Sequence, residues 1–249
     1  MGRVIFIGAG PGAADLITVR GARLLAAAEV VLFDALADPA LRELAPAAQW
    51  IDVGKRGFGR ATAQARIDAL LVQLAQAHAV VVRLKGGDPG IFGRLEEELL
   101  ALQAAGIACE VVPGVTAALA AAAGARRPLT RRGQGRSVSL TTAFTENGQL
   151  QGGRHADTEV FYMAGRQLAA LGRRLRASGW PAGTPVSVSS RAGWPDELHS
   201  DHVLAELGSA ALLHGGRPTV VTVGVGARPL GVAPAPHKTL LLEKAQASV

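Results

Sequence analysis

A two-lobed α/β fold built on a parallel sheet is the class this sequence predicts, on three observations. Short apolar runs alternate with Ala/Leu-rich amphipathic segments, the pattern of strands covered by helices. Predicted strands end in glycine turns or isolated polar residues, which is where ligands sit in sheets of this kind. The alternation pauses at Pro113-Gly114 and then resumes. Residues 1–113 and 114–249 are therefore expected to form two lobes, with the active site in the cleft between them.

The elements follow in order. Val4 to Ile7 read as a buried strand, and Gly8-Ala9-Gly10-Pro11-Gly12 as a turn leading into a helix over 14–28. Val30 to Phe33 form a second strand that ends on Asp34, before a helix over 39–47. Residues 50–53 and 80–84 are the third and fourth strands, with a 62–77 helix between them and a 94–105 helix after them. A fifth strand, 109–112, runs into a small-residue helix over 115–124. In the second half, strands are expected at 137–142, 159–163, 186–189 and 219–224, and helices at 166–178 and 202–214. Residues 145–158 are polar and glycine-rich and read as a surface loop, and the segment after Arg228 as a loose edge.

The 249 residues suffice for two domains with a sizeable core. Aromatic residues make up only 4%, so that core must be mostly Ala, Val and Leu. No apolar run approaches the roughly 18 residues that cross a bilayer. The first residues lack the pattern of a signal peptide, so the expectation is a cytoplasmic protein with no membrane partner. The single Cys109 excludes an internal disulfide and a thiolate metal cluster. A net charge of +6 favours a polyanionic partner: nucleic acid, a phosphate compound or a polycarboxylate. Four of the 26 basic residues are Lys, and Arg126, Arg127, Arg131, Arg132 and Arg136 fall within eleven positions. A G+C-rich genome accounts for abundant Arg, Ala and Gly but not for that clustering. The cluster is either a solvated face or a site for several carboxylates, which guanidinium groups pair bidentately.

Taken alone, the first turn fits a dinucleotide-binding fingerprint. Gly8, Gly10 and Ala13 match G-x-G-x-x-G/A, and Asp34 stands where an acid would hold a ribose. Pro11 argues against it, because its missing N–H removes a donor from the turn that would cradle a pyrophosphate. The other strand ends read VGKRG (53–57), VVRLKGGDPGIFGR (81–94), VVPGVTA (111–117) and VFYMAG (160–165), with PLTRR at 128–132.

In this order, over about residues 4–225, the set resembles the tetrapyrrole methylase family of S-adenosyl-L-methionine (SAM) enzymes. Each piece is weak alone, and the ordered set is specific. GKR and RLKGGDP resemble the members that methylate uroporphyrinogen III at C-2 and C-7 to give precorrin-2, for sirohaem, cobalamin or haem d1 synthesis. On this resemblance GAGPG is a methylase turn and the dinucleotide reading is set aside. The resemblance implies the tetrapyrrole methylase fold, SAM as methyl donor without a metal, a polycarboxylate tetrapyrrole as substrate, a homodimer and no nucleic-acid partner. It also implies Asp34 as proton acceptor and Lys55 as proton donor. SAM contacts are implied at Pro11, Gly86, Gly87, Asp88, Ile91, Thr116, Ala117, Met163 and Ala192, and substrate contacts at Arg94, Glu97 and Arg132.

The chemistry agrees with that assignment. Glycines let a main chain approach a ligand closely, and an Asp accepts hydrogen bonds or faces positive charge. The carbon nucleophile comes from the electron-rich pyrrole, so the protein must orient the reactants and manage a proton. The residues themselves leave plainer roles open. GGDPG serves as an ordinary tight turn, Asp34 as a cap, Lys55 as a surface cation and Met163 as core. Arg94 and Glu97 can simply pair with each other at helical spacing.

Departures from the family pattern lie on the substrate side. PLTHRDYAQSV becomes PLTRRGQGRSV (128–138), TGH becomes TAF (142–144), GRGGEE becomes GRLEEE and FYMG becomes FYMA, and the loop at 145–158 is shorter. A methylase acting on another, cobalamin-pathway tetrapyrrole and a non-catalytic SAM- or tetrapyrrole-binding protein are therefore alternatives. RNA methylation is a further one. Against it stand GKR, RLKGGDP and the scarcity of stacking aromatics, with one Tyr and six Phe.

Overall fold

Strand-length runs of Val, Ile and Leu pair side by side in two five-stranded sheets. The computed structural model describes residues 2–34, 36–54, 60–143, 150 and 152–230. The first sheet holds β1 (Arg3–Gly8), β2 (Val30–Phe33), β3 (Gln49–Asp52), β4 (Val80–Lys85) and β5 (Ala108–Val112). Its spatial order is β3-β2-β4-β1-β5 and every pairing is parallel. The crossovers carry α1 (Val19–Leu25), a 3-10 segment over Pro39–Leu44, α2 (Arg60–Ala77) and α3 (Leu95–Ala104).

Successive strand side chains point to opposite faces, so β1 serves two core layers. Ile5 and Ile7 pack with Leu25 and Leu41 on one face, and Val4 and Phe6 with Leu71 and Leu102 on the other. Each fully buried side chain of this size contributes roughly 1.5–3 kcal/mol. A one-residue slip would move both sets to the wrong layer, which fixes the register.

After α4 (Ala117–Gly124) the chain builds the second sheet from β6 (Val138–Thr142), β7 (Thr158–Tyr162), β8 (Pro185–Ser190), β9 (Leu198–Val203) and β10 (Thr219–Gly224). Its order is β6-β7-β10-β8-β9; β6 and β7 are parallel and the remaining pairs antiparallel. The Leu168, Leu171 and Leu175 stripe of α5 (Leu168–Ala177) packs on Phe161, Val188 and Val221. Ala118 and Ala121 of α4 pack on Val160, Tyr162 and Val220 of the opposite face.

The expected class is therefore observed, with three local differences, the first being that the helix expected over 39–47 is the 3-10 segment Pro39–Leu44. The 14–28 helix is a 3-10 turn at Ala14–Leu16 followed by α1, whose start is fixed where Thr18 Oγ1 accepts from Gly21 N at 3.0 Å. The helix expected over 202–214 starts two residues later, since 202–203 close β9, and consists of 3-10 turns over Leu204–Ala210 and a short α6 (Ala211–His214). β9 is an edge strand without an apolar alternation. Its polar side chains bond instead: His199 Nδ1 lies 3.2 Å from Ser189 Oγ of β8, and within β9 Ser200 Oγ lies 2.7 Å from His202 Nε2. A strand specified by polar cross-strand partners leaves no period-2 hydrophobic signal.

His214, fully buried, closes this polar layer, with Ser190 Oγ 2.6 Å from Nδ1 and Ser200 Oγ 2.8 Å from Nε2. Burial first, then the charges of His202, His199 and Arg217, push it down from 6.5 to about 4. A histidine whose folded value is depressed leaves stability unaffected above its unfolded value and removes it as pH falls below. On the order of 3 kcal/mol should be lost between about pH 6.5 and 4. Denaturant titrations across that window should show the slope, and His214→Gln should flatten it.

Candidate functional site

The carboxyl ends of β1, β4 and β5 converge on three glycines. A Cβ on Gly8 would lie 2.5 Å from Gly114 Cα and 2.7 Å from Gly87 O, and one on Gly114 would lie 2.3 Å from Gly87 O. Backbone packed this closely admits no side chain. The GAGPG and GGDPG loops then join as a two-residue bridge, Gly87 N donating to Gly10 O at 2.7 Å and Gly10 N to Gly87 O at 3.3 Å. Gly87 has φ +72°, and a Cβ there would meet nothing nearer than 4.0 Å. That strand end keeps an open face a ligand can approach.

Asp88 secures the third loop. One carboxylate oxygen accepts from Gly90 N at 2.8 Å and the other from Gly114 N at 2.9 Å. The turn between β8 and β9 closes on the same place. Trp194 Nε1 donates to Pro11 O at 2.9 Å, and Ala13 N donates to Gly193 O at 2.7 Å. These bonds also explain why the dinucleotide fingerprint fails here. Gly10 and Ala13 spend their N–H groups on protein carbonyls, and the turn runs into a single 3-10 turn at Ala14–Leu16 while α1 begins only at Val19, so no α-helix starts from it.

Ile91 packs into the cluster of Ala118, Tyr162 and Ala192, with Ala117 beside it. Thr116 Oγ1 and Tyr162 OH are 2.7 Å apart and buried, and Phe92 stands edge-on to Tyr162 at 5.0 Å. Burial pushes the Tyr162 hydroxyl up, so it is a neutral hydrogen-bonding group. Met163 follows, 54% exposed and left-handed at φ 59°. Phe92, Arg94 and Arg191 share that backbone region, so four of the five left-handed non-glycine residues described lie at these loops. Such strain persists only where surrounding structure imposes it.

The proposed SAM contacts Pro11, Gly86, Gly87, Asp88, Ile91, Thr116, Ala117, Met163 and Ala192 thus occupy one connected set of loops. Arg94 stands at the residue before α3 and pairs with Glu97, Nε to Oε1 at 2.9 Å, on an exposed face just beyond the GGDPG loop. Arg132 is exposed at the tip of a turn closed by Arg131 and Gly135, outside that set. Asp34 stands at the end of β2, its side chain 33% exposed, with Oδ1 accepting from Arg83 Nη2 at 2.7 Å. Lys55 lies outside the described residues.

Sequence reading passed over a buried charge set behind Asp34. Arg83 Nε reaches Glu98 Oε1 at 3.1 Å and Lys85 Nζ reaches Glu98 Oε2 at 2.8 Å, all three side chains being buried. Desolvation opposes the charge on Arg83, but Asp34 and Glu98 outweigh it and hold the guanidinium above its ordinary value. For Lys85, burial and then Arg83 prevail and lower it. The signal was present: two cations at i and i+2 share one face of VVVRLK, an otherwise apolar central strand, and must find an anion.

Fold and loops together define an α/β protein whose glycine-rich loops meet at the carboxyl ends of a parallel sheet. The chain belongs to the tetrapyrrole (corrin/porphyrin) methylase family, whose model matches residues 3–208. It is 42% identical over 205 residues to a uroporphyrinogen-III C-methyltransferase of Synechocystis sp., covering 79% of this chain and 78% of that one. A native crystal structure of the uroporphyrin-III C-methyl transferase of Thermus thermophilus superposes with a TM-score of 0.81 at 34% identity, covering 95% of this chain and 98% of that one. A complex of the same Thermus enzyme with S-adenosyl homocysteine gives 0.78 at 35% identity, over 90% and 97%. Among the described residues, no helix is long and apolar enough to cross a membrane.

Proposed function

We infer that this protein is a SAM-dependent methyltransferase that methylates uroporphyrinogen III to precorrin-2. The observation that carries this is the interlocking of Gly8, Gly87 and Gly114 beneath an open strand end, in a chain of this family. The loops suit SAM. Main-chain groups at Gly86, Gly87, Thr116, Ala117 and Ala192 serve its polar ends, Pro11 and Ile91 its flat apolar surface, and Asp88 holds the GGDPG and PGVT loops in place. When bound, SAM supplies an electrophilic methyl group.

The protein's part is orientation and proton handling. Asp34, half-buried at a strand end and steadied by Arg83, accepts the one net proton lost for each methyl cation gained, and Lys55 serves as proton donor where protons are redistributed between ring positions. Arg94, with Glu97 beside it, and Arg132 meet substrate carboxylates. We take residues 1–113 as the catalytic and substrate lobe and 114–249 as the lobe completing the SAM site. A cytoplasmic homodimer without nucleic-acid or membrane partners completes the reading.

Anaerobic incubation with uroporphyrinogen III and SAM should give products heavier by one and two methyl groups, with S-adenosylhomocysteine released. SAM binding without methylated product would move the substrate to another tetrapyrrole. Sedimentation should report a dimer.

A further inference from the structure

Behind Asp34 the buried charges form a chain with a defined direction. Arg83 gives each guanidinium nitrogen its own acceptor: Nε to Glu98, Nη1 to Leu84 O at 3.2 Å, and Nη2 to Asp34. A guanidinium bound on all three sides has one orientation. Glu98, with no exposed surface, divides its carboxylate between Arg83 and Lys85, and Gln64 Nε2 approaches Oε1 at 3.4 Å. Buried ion pairs are poor stabilisers, because desolvation consumes most of their attraction. Two cations on the central strand of a sheet with two carboxylates gathered around them are therefore better explained by what they hold in place. What they hold is Asp34, on the strand next to β4.

We propose that Glu98 is a positioning residue for methyl transfer: it clamps Arg83 so that Nη2 fixes the Asp34 carboxylate at the end of β2. This rests on Asp34 being the proton acceptor. Glu98 sits on α3 one position after Glu97 and four after Arg94. The clamp therefore also ties the acceptor to the helix that carries the substrate-side pair. Neutralising Glu98 leaves Asp34 as the one carboxylate of the set beside Arg83 and Lys85, and frees the guanidinium to turn.

The test is a double-mutant cycle with Glu98→Gln, Asp34→Asn and both together, measuring kcat at saturating SAM, SAM affinity by calorimetry and thermal midpoint. Glu98→Gln should lower kcat by about 10–100-fold, as displacement of a reacting group does, with SAM affinity within about twofold of the parent. The double variant should turn over no more slowly than Asp34→Asn alone, because the two residues act through one group. A merely structural role predicts multiplied losses or lost SAM affinity, and either result overturns the proposal, as does a Glu98→Gln kcat equal to the parent's. Full turnover by Asp34→Asn would instead overturn the reading beneath it, and the clamp with it. If Glu98→Gln does not fold, Arg83→Lys gives the same cycle. It keeps a cation against Glu98 but lacks the second arm that reaches Asp34, and it should show the same non-multiplying loss, whereas multiplied losses there sink the clamp.

Discussion

Asp34→Asn is expected to lower kcat by about 10²–10⁴-fold, the range for removing a positioned general base, while SAM affinity stays within about twofold of the parent. Asn is isosteric and still accepts from Arg83 Nη2 through its carbonyl, so the fold and the end of β2 are preserved. What disappears is the group able to take up a proton. The side chain is one-third exposed, which gives a substrate access to the carboxylate. Stopped assays for S-adenosylhomocysteine and methylated product, beside SAM calorimetry, separate chemistry from binding. Turnover close to that of the parent would remove Asp34 from the mechanism and leave it a strand-end anchor for Arg83.

Gly114→Ala should do damage out of proportion to the single methyl group it adds. Its Cβ would fall 2.3 Å from Gly87 O and 2.7 Å from Gly8 Cα. Both are backbone atoms at the ends of buried parallel strands, so no side chain can swing away. Overpacking of this kind costs about 1–3 kcal/mol or more. The relief available is separation of the GAGPG, GGDPG and PGVT loops, which also breaks the bond from Gly114 N to Asp88. SAM affinity should drop by about tenfold or more along with the unfolding midpoint. Gly183→Ala is the control, since a Cβ there meets nothing within 4 Å. Equal midpoints and SAM affinities for the two variants would refute the crowding argument.

Local sequence was enough for most of the framework. Val4 to Ile7, Val30 to Phe33 and Val80 to Lys85 are strands because β-branched runs bounded by glycine or polar turns have few other solutions. The strand-end motifs, read in order, also led to the family. The strand at Leu198–Val203 is not legible in the sequence because β9 meets β8 through polar groups such as His199 on Ser189, which a hydrophobic period does not register. The charges of RLK were visible, yet their partner Glu98 lies on another element and looks like its neighbours Glu96 and Glu97 until α3 turns it inward.

By itself the sequence determined the alternating elements, the glycine turns at the strand ends and membership of the methylase family, because φ/ψ preference and facial periodicity act over a few residues. Tertiary structure alone decided that β9 joins the second sheet, that Glu98 closes on Arg83 and Lys85, and that Trp194 reaches back 183 positions to Pro11. Those contacts exist because two sheets bury their faces and bring distant loops together, and no short-range pattern encodes which groups then meet.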